Sequence, residues 1–310
     1  MNILVPLTIA DTMIGGGTTV AEPAAGETAW TDTTYSVGAR RIRTQTHRVY
    51  ECVSAIGAAT GTPPEDDAVH WLDAGPTQRF APFDHYTSTQ ATDTTSMTYV
   101  LTPGYFNAIS LYGLTGTGIV VEVRDTPGGT VIYRYPETGT ASLTEPPVGW
   151  YDYFFGKRRA ISKLVLKGIP IRPAAELTIT VTAASGAAVG IGMINVGDYR
   201  QLIGNADWGG TVAGASAEPV TYSYIDTDDY GNTTIVRRHS ATNLRVKVTM
   251  PRTSADAALA SVQEVLDVPV SWISADSKGF DGLNVFGLGS GSLSYSFSVA
   301  EFDITVKGLI

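Results

Sequence analysis

Apolar and polar residues alternate with a period of two along much of this chain. The clearest run is 176–182, where Leu177, Ile179 and Val181 are separated by threonines, and Leu244, Val246 and Val248 repeat the pattern in "NLRVKVTM". A period of two puts one set of side chains on one face of a pleated strand, so these runs predict half-buried antiparallel strands. Between Tyr99 and about Val196 the candidates follow closely: "MTYVLT", "AISLYGL", "GIVVEVRD", "TVIYRY", "DYFFG", "KLVLKGI", "ELTITVTA" and "AVGIGMINVG". "DTPGGT" predicts a hairpin turn between "VVEVR" and "VIYRY", because Pro127 and two glycines supply the required backbone angles. About eight short strands at this spacing predict a β-sandwich of jelly-roll type.

One segment changes period. In "TSADAALASVQEVLDV", Leu259, Val262 and Leu266 recur at three- and four-residue steps, which predicts a helix near 254–267. Thr253 or Ser254 is its expected cap and Pro269 its stop. The apolar runs "NILVPLTI" and "FDITVKGLI" are expected to pair in sheets, within the chain or with a neighbouring subunit. The expected fold is mainly β: a small β-module, a jelly-roll-like β-sandwich, and a β-rich C-terminal region with one short helix. The predicted divisions are a first strand and connection (1–29), the β-module (30–85), a Thr- and Ser-rich linker (86–98), the sandwich (99–205) and an assembly region (206–310).

Composition supports strands and turns over helices, with 33 Gly and 16 Pro in 310 residues. The net charge of −9 argues against nucleic acid, which needs a basic surface. "GARRIR", "GKRRA" and "IVRRH" are short basic runs that read as solvated strand faces. The single cysteine, Cys52, excludes an intrachain disulfide and reads as a buried thiol among apolar neighbours. The first run is broken by Pro6, Thr8 and Asp11, so no export signal is expected, and no stretch is apolar enough for membrane insertion.

Candidate chemistry is sparse. His47, His70, His85 and His239 stand at no metal-ligand spacing, and no cofactor is expected. "DTDDYGNTTIVR" places Asp226, Asp228 and Gly231 as a calcium loop would, but Arg237 replaces the bidentate Glu, and a hairpin turn is the expected structure. No GxSxG is present, and Asp66, Asp67, Asp73, Asp84 and Asp152 form no paired-carboxylate motif, so no enzyme activity is expected. The aromatics Trp30, Tyr35, Tyr50 and Trp71 remain, either as a sugar-stacking face or as the core of the small module.

Two stretches carry a resemblance. Trp30, "TTYSVGARRI", "HRVYECV" and Trp71 together resemble the small chitin-binding modules of the type 5/12 carbohydrate-binding family. "HWLDAGPTQRFAPFD" is similar to a stretch of the tail proteins of long-tailed bacteriophages, where it follows such a module and precedes a β-sandwich. "NAISLYGLTG", "VVEVRD", "VGWYDYFF", "LIGNADWG" and the final "FGLGSGSLSYSFSVAEFDITVKGLI" extend the similarity over nearly the whole chain. It implies a structural protein of the tail tip or baseplate, near the distal tail and hub proteins, made in the bacterial cytoplasm and carried in the virion. Its implied partners are copies of itself in a ring and other tail proteins (tube, hub, fibres). The alternative is an adhesion module whose four aromatics hold a host surface glycan.

Overall fold

The period-two runs become paired strands throughout. A computed structural model describes residues 1–86, 88–204, 206–227, 230–274 and 280–309, with Asp281 described by its backbone alone. The chain begins with β1 (Asn2–Pro6), followed by β2 (Arg40–Arg43), β3 (Arg48–Cys52) and β4 (Trp71–Pro76). Next come β5 (Ala91–Thr94), β6 (Ser96–Leu101), β7 (Ala108–Tyr112), β8 (Gly118–Arg124), β9 (Val131–Tyr135) and β10 (Ala141–Ser142), then helix α1 (Trp150–Phe155). They are followed by β11 (Lys163–Lys167), β12 (Glu176–Thr182), β13 (Ala188–Ile191), β14 (Met193–Gln201), β15 (Gly210–Thr211) and β16 (Ser216–Thr221). The last part holds β17 (Tyr224–Thr227), β18 (Thr233–Val236), β19 (Ser240–Pro251), helix α2 (Arg252–Gln263), β20 (Val270–Ile273), β21 (Asn284–Tyr295) and β22 (Val299–Gly308).

The protein is mainly β and sandwich-like, as its alternation predicts. One sheet of ten strands runs β11-β7-β14-β1-β20-β21-β22-β19-β15, with β16 also on β19. It is built from both the expected sandwich region and the expected C-terminal region, with β1 joining the two halves between β14 and β20. The sheet is strongly curled. Ser110 on β7 and Ser271 on β20 stand three strand positions apart, which in a flat sheet is roughly 14 Å. Their hydroxyl oxygens are 2.8 Å apart and buried. Across five positions, Lys163 Nζ on β11 donates to the Asn284 carbonyl on β21 at 3.2 Å. The inner face therefore closes on itself, packing Leu4, Ala108 and Ile273 together, and Tyr112 with Met193 and Phe286.

The outer face is covered in two ways. On one half, Ile109, Leu111, Ile194 and Val196 pack against a second sheet, β10-β8-β12-β6, with β9 beside β8. Ile179 lies opposite Val121 on one side and Tyr99 on the other. Three strands thereby each present three buried side chains: Met97, Tyr99 and Leu101; Ile119, Val121 and Val123; Leu177, Ile179 and Val181. Each contributes about 1.5–3 kcal/mol by leaving water. Residues 14–19 run along β6, where Gly15 N–H donates to the Val100 carbonyl and Thr19 N–H to that of Thr98. This segment covers an otherwise open sheet edge.

On the other half, α2 covers β19, β20, β21 and β22. Its buried stripe is Ala255, Ala258 and Val262, small residues that let the helix approach the sheet closely. Beneath it the Trp272 indole lies across β21, with Nε1 donating to the Gly287 carbonyl at 3.0 Å. The alternating glycines of β21 make this possible: a Cβ at Gly289 would lie 2.0 Å from Trp272 Cζ2, and one at Gly291 would lie 2.7 Å from Phe302 Cε2.

Several expectations need correction. "DYFFG" is not a strand; Asp152 to Phe155 lie in α1, which follows the Pro146–Pro147–Val148–Gly149 run and is capped by Gly156. Residues 86–98 are not a linker, because β5 pairs with β13 and β6 begins at Ser96. "AVGIGMINVG" is two strands that part at Gly192, β13 pairing with β5 and β14 entering the large sheet. Helix α2 begins at Arg252 and ends at Gln263, so Thr253 and Ser254 sit inside its first turn and Leu266 lies beyond it, exposed.

Gly289→Ala is expected to lower stability by about 1–3 kcal/mol through overpacking against the indole. In the double variant Gly289→Ala/Trp272→Phe the added methyl should cost much less, because the smaller ring clears the space. Urea unfolding midpoints of the four proteins measure this coupling; strictly additive losses would refute the contact.

Candidate assembly surfaces

The four aromatics picked out by the sequence fall into one small core. In the β2-β3-β4 unit, Tyr35, Tyr50, Cys52, Ile56 and Trp71 are buried together, with Trp30 and Ala39 packed on them. Trp71 is 3% exposed and meets the Tyr35 ring edge-on at 4.9 Å between centroids. The Tyr35 hydroxyl donates to the Thr31 carbonyl at 2.6 Å and accepts the Thr31 N–H at 3.1 Å. The Tyr50 hydroxyl donates to Thr46 Oγ1 at 3.3 Å. Tyr35, Tyr50 and Trp71 thus pack inward instead of presenting a sugar-stacking face.

Trp30 is half-buried, and it is not an open platform. The Arg43 guanidinium sits 5.0 Å from its ring centroid and is itself held by Glu65 through bonds of 2.8 and 3.0 Å. Burial costs the Glu65 carboxylate some solvation, yet the Arg43 hydrogen bonds and charge keep its pKa below the usual value. In the basic run "GARRIR", Arg40 pairs with Glu51 and Arg43 with Glu65, and on the neighbouring strand Arg48 pairs with Asp73. Cys52 is buried and free, its thiol directed at the Ser54 carbonyl.

The stretch "GPTQRFAPFD" forms the joint between this unit and the sandwich. Glu22 accepts from Thr77 Oγ1 at 2.6 Å and pairs with His47 Nδ1 at 2.9 Å. Gln78 N–H donates to Glu27 at 2.7 Å. His47 stacks on Phe80 at 3.8 Å, and Phe80, Phe83 and Tyr99 continue edge-to-face into the sandwich core.

Two arms protrude without covering of their own. The β10–β11 connection is zipped at its base, where Glu145 N–H donates to the Arg159 carbonyl and Ile161 N–H to that of Leu143. Its tip is α1. Asp152 accepts the Val148 N–H at 2.8 Å, which fixes the first turn. Trp150, Tyr151, Tyr153, Phe154 and Phe155 are 81, 80, 55, 66 and 75% exposed. Among the described residues their ring contacts are with one another, as of Trp150 with Phe154 and Tyr151 with Phe155. The sequence pattern predicts a strand at "DYFFG"; what marks the segment as an arm is the density of rings between Pro147 and Gly156.

The second arm is the β17–β18 hairpin. Tyr224 pairs with Val236 and Ile225 with Ile235, so successive apolar pairs face opposite sides. Every residue of both strands is exposed. At its base Tyr222, Arg237, Arg238 and His239 line an open depression of about 540 Å³. The calcium-loop pattern falls here: Asp226 is exposed on β17 and Gly231 has φ +81°, while residues 228–229 lie outside the described residues.

Among the described residues no group of three or more His, Cys, Asp or Glu side chains could hold a metal ion, and no helix is long and apolar enough to cross a membrane. Compared with known proteins, the chain matches no family model and no curated sequence.

Trp71→Ala should lower stability by about 3–5 kcal/mol, as expected for a buried ring, and Trp30→Ala by distinctly less. Thermal unfolding of the two variants checks the order. Equal small losses would place both rings at the surface.

Proposed function

We propose that the chain is a structural subunit of a bacteriophage tail tip or baseplate, assembled as one copy of a ring between the tail tube and the host-adsorption apparatus. The observation that carries this reading is the β17–β18 hairpin. An isolated two-stranded hairpin is marginal in water. This one leaves apolar pairs exposed on both of its sides. Such an arm is useful when a neighbouring subunit covers it.

The rest of the surface agrees with an assembly role. The aromatic arm at α1 is a second uncovered apolar element, and a ring needs two different patches on each subunit. The sandwich with its covered β6 edge carries the α1 arm, and β16 and β19 of the large sheet carry the hairpin. The similarity of "HWLDAGPTQRFAPFD" and the downstream segments to tail proteins of long-tailed phages sets the biological context. In this reading the protein catalyses no reaction, belongs to the virion, and contacts copies of itself and adjoining tail proteins.

Replacing residues 223–237 by a short Gly-Ser link should leave the melting temperature nearly unchanged and abolish incorporation into particles. Native mass spectrometry of the full chain co-expressed with neighbouring tail proteins should show several copies per assembly. A chain that remains monomeric with all of them would overturn the assignment.

A further inference from the structure

The aromatic arm points to a specific contact. We propose that residues 145–159 of one copy dock onto the body of a second copy of this chain, as one half of a heterologous interface. This rests on the ring reading above and names the surface that makes the lateral contact.

Area is the first argument. With each aromatic side chain offering about 150–250 Å², the five rings leave roughly 700 Å² of apolar surface in water. That exceeds the roughly 300–600 Å² of the largest patch on a typical monomer. It approaches the roughly 800 Å² that one partner contributes to a stable protein interface. The composition agrees: Trp, Tyr and Arg are the residue types that dominate binding energy at interfaces, and the arm carries Trp150, Tyr151, Tyr153, Arg158 and Arg159.

The arm is also prepared for binding. The ladder at residues 143–145 and 159–161 and the Asp152 contact to Val148 N–H fix its shape before any partner arrives. A preordered arm loses little conformational entropy on docking.

Charge selects the occupant. Lys157, Arg158 and Arg159 have no carboxylate partner among the described residues. The arm holds three cations and two carboxylates, so everything outside it is more acidic than the chain's net −9. A second copy therefore presents an acidic body to a basic-flanked arm.

Sedimentation velocity of the full chain over a concentration series tests the contact. The variant Trp150→Ser/Tyr151→Ser/Phe154→Ser/Phe155→Ser changes only exposed rings and should keep the native melting temperature while associating at least about tenfold more weakly. Lys157→Glu/Arg158→Glu/Arg159→Glu should weaken association at low salt and approach the parent protein at high salt. A photo-crosslinker at Tyr151 should join the arm to a second copy. Association unchanged in the ring variant would overturn this contact while leaving the ring to other surfaces. A parent chain that does not self-associate but binds vesicles containing anionic phospholipid, with the ring variant failing to bind them, would overturn it in favour of a membrane.

Discussion

The pairing of β1 with both β14 and β20 is the constraint on which the rest of the architecture depends. Its five residues lie in the middle of the ten-stranded sheet. Ile3 turns to the core beneath α2, and Leu4 turns to the closed inner face with Ala108 and Ile273. Without β1, the half that packs on the second sheet and the half that packs on α2 would have no shared strand. The Ser110–Ser271 contact adds a polar fix to the same closure, because two buried hydroxyls away from water must satisfy each other.

Around that rigid body the chain spends its surface unevenly. The small β2-β3-β4 unit keeps its large aromatics inside and neutralises its arginines with nearby carboxylates. The joint is a mixed contact in which Glu22, Thr77 and His47 share hydrogen bonds while Phe80 and Phe83 run on toward Tyr99. Uncovered apolar surface is concentrated instead on α1 and on the β17–β18 hairpin. These exposed rings and aliphatic side chains stand on protrusions.

Much of the strand content was legible because buried and exposed positions alternate in β6, β8, β12, β19 and β22. Helix α2 was legible from its three- and four-residue steps, although its buried stripe is made of alanines more than leucines. β5 was illegible because only Ala91 of its four residues is buried, so its Thr-rich sequence reads as coil. α1 was misread because a six-residue run with five rings has no period long enough to tell a helix from a strand. The fate of Trp30 and Trp71 depends on partners distant in sequence, such as Arg43 over the first and Tyr35 against the second. Sheet order is set by the same kind of distant pairing, which no local pattern encodes.

The central position of β1 has a consequence for synthesis. Residues 2–6 are translated well before both of their neighbouring strands, since β14 ends at Gln201 and β20 at Ile273. Until both have left the ribosome, an apolar strand with two open edges must wait. The β2-β3-β4 unit draws on nearby residues and can form early, whereas the main sheet closes late and from its middle. During that interval β1 is an apolar segment that a chaperone would shield.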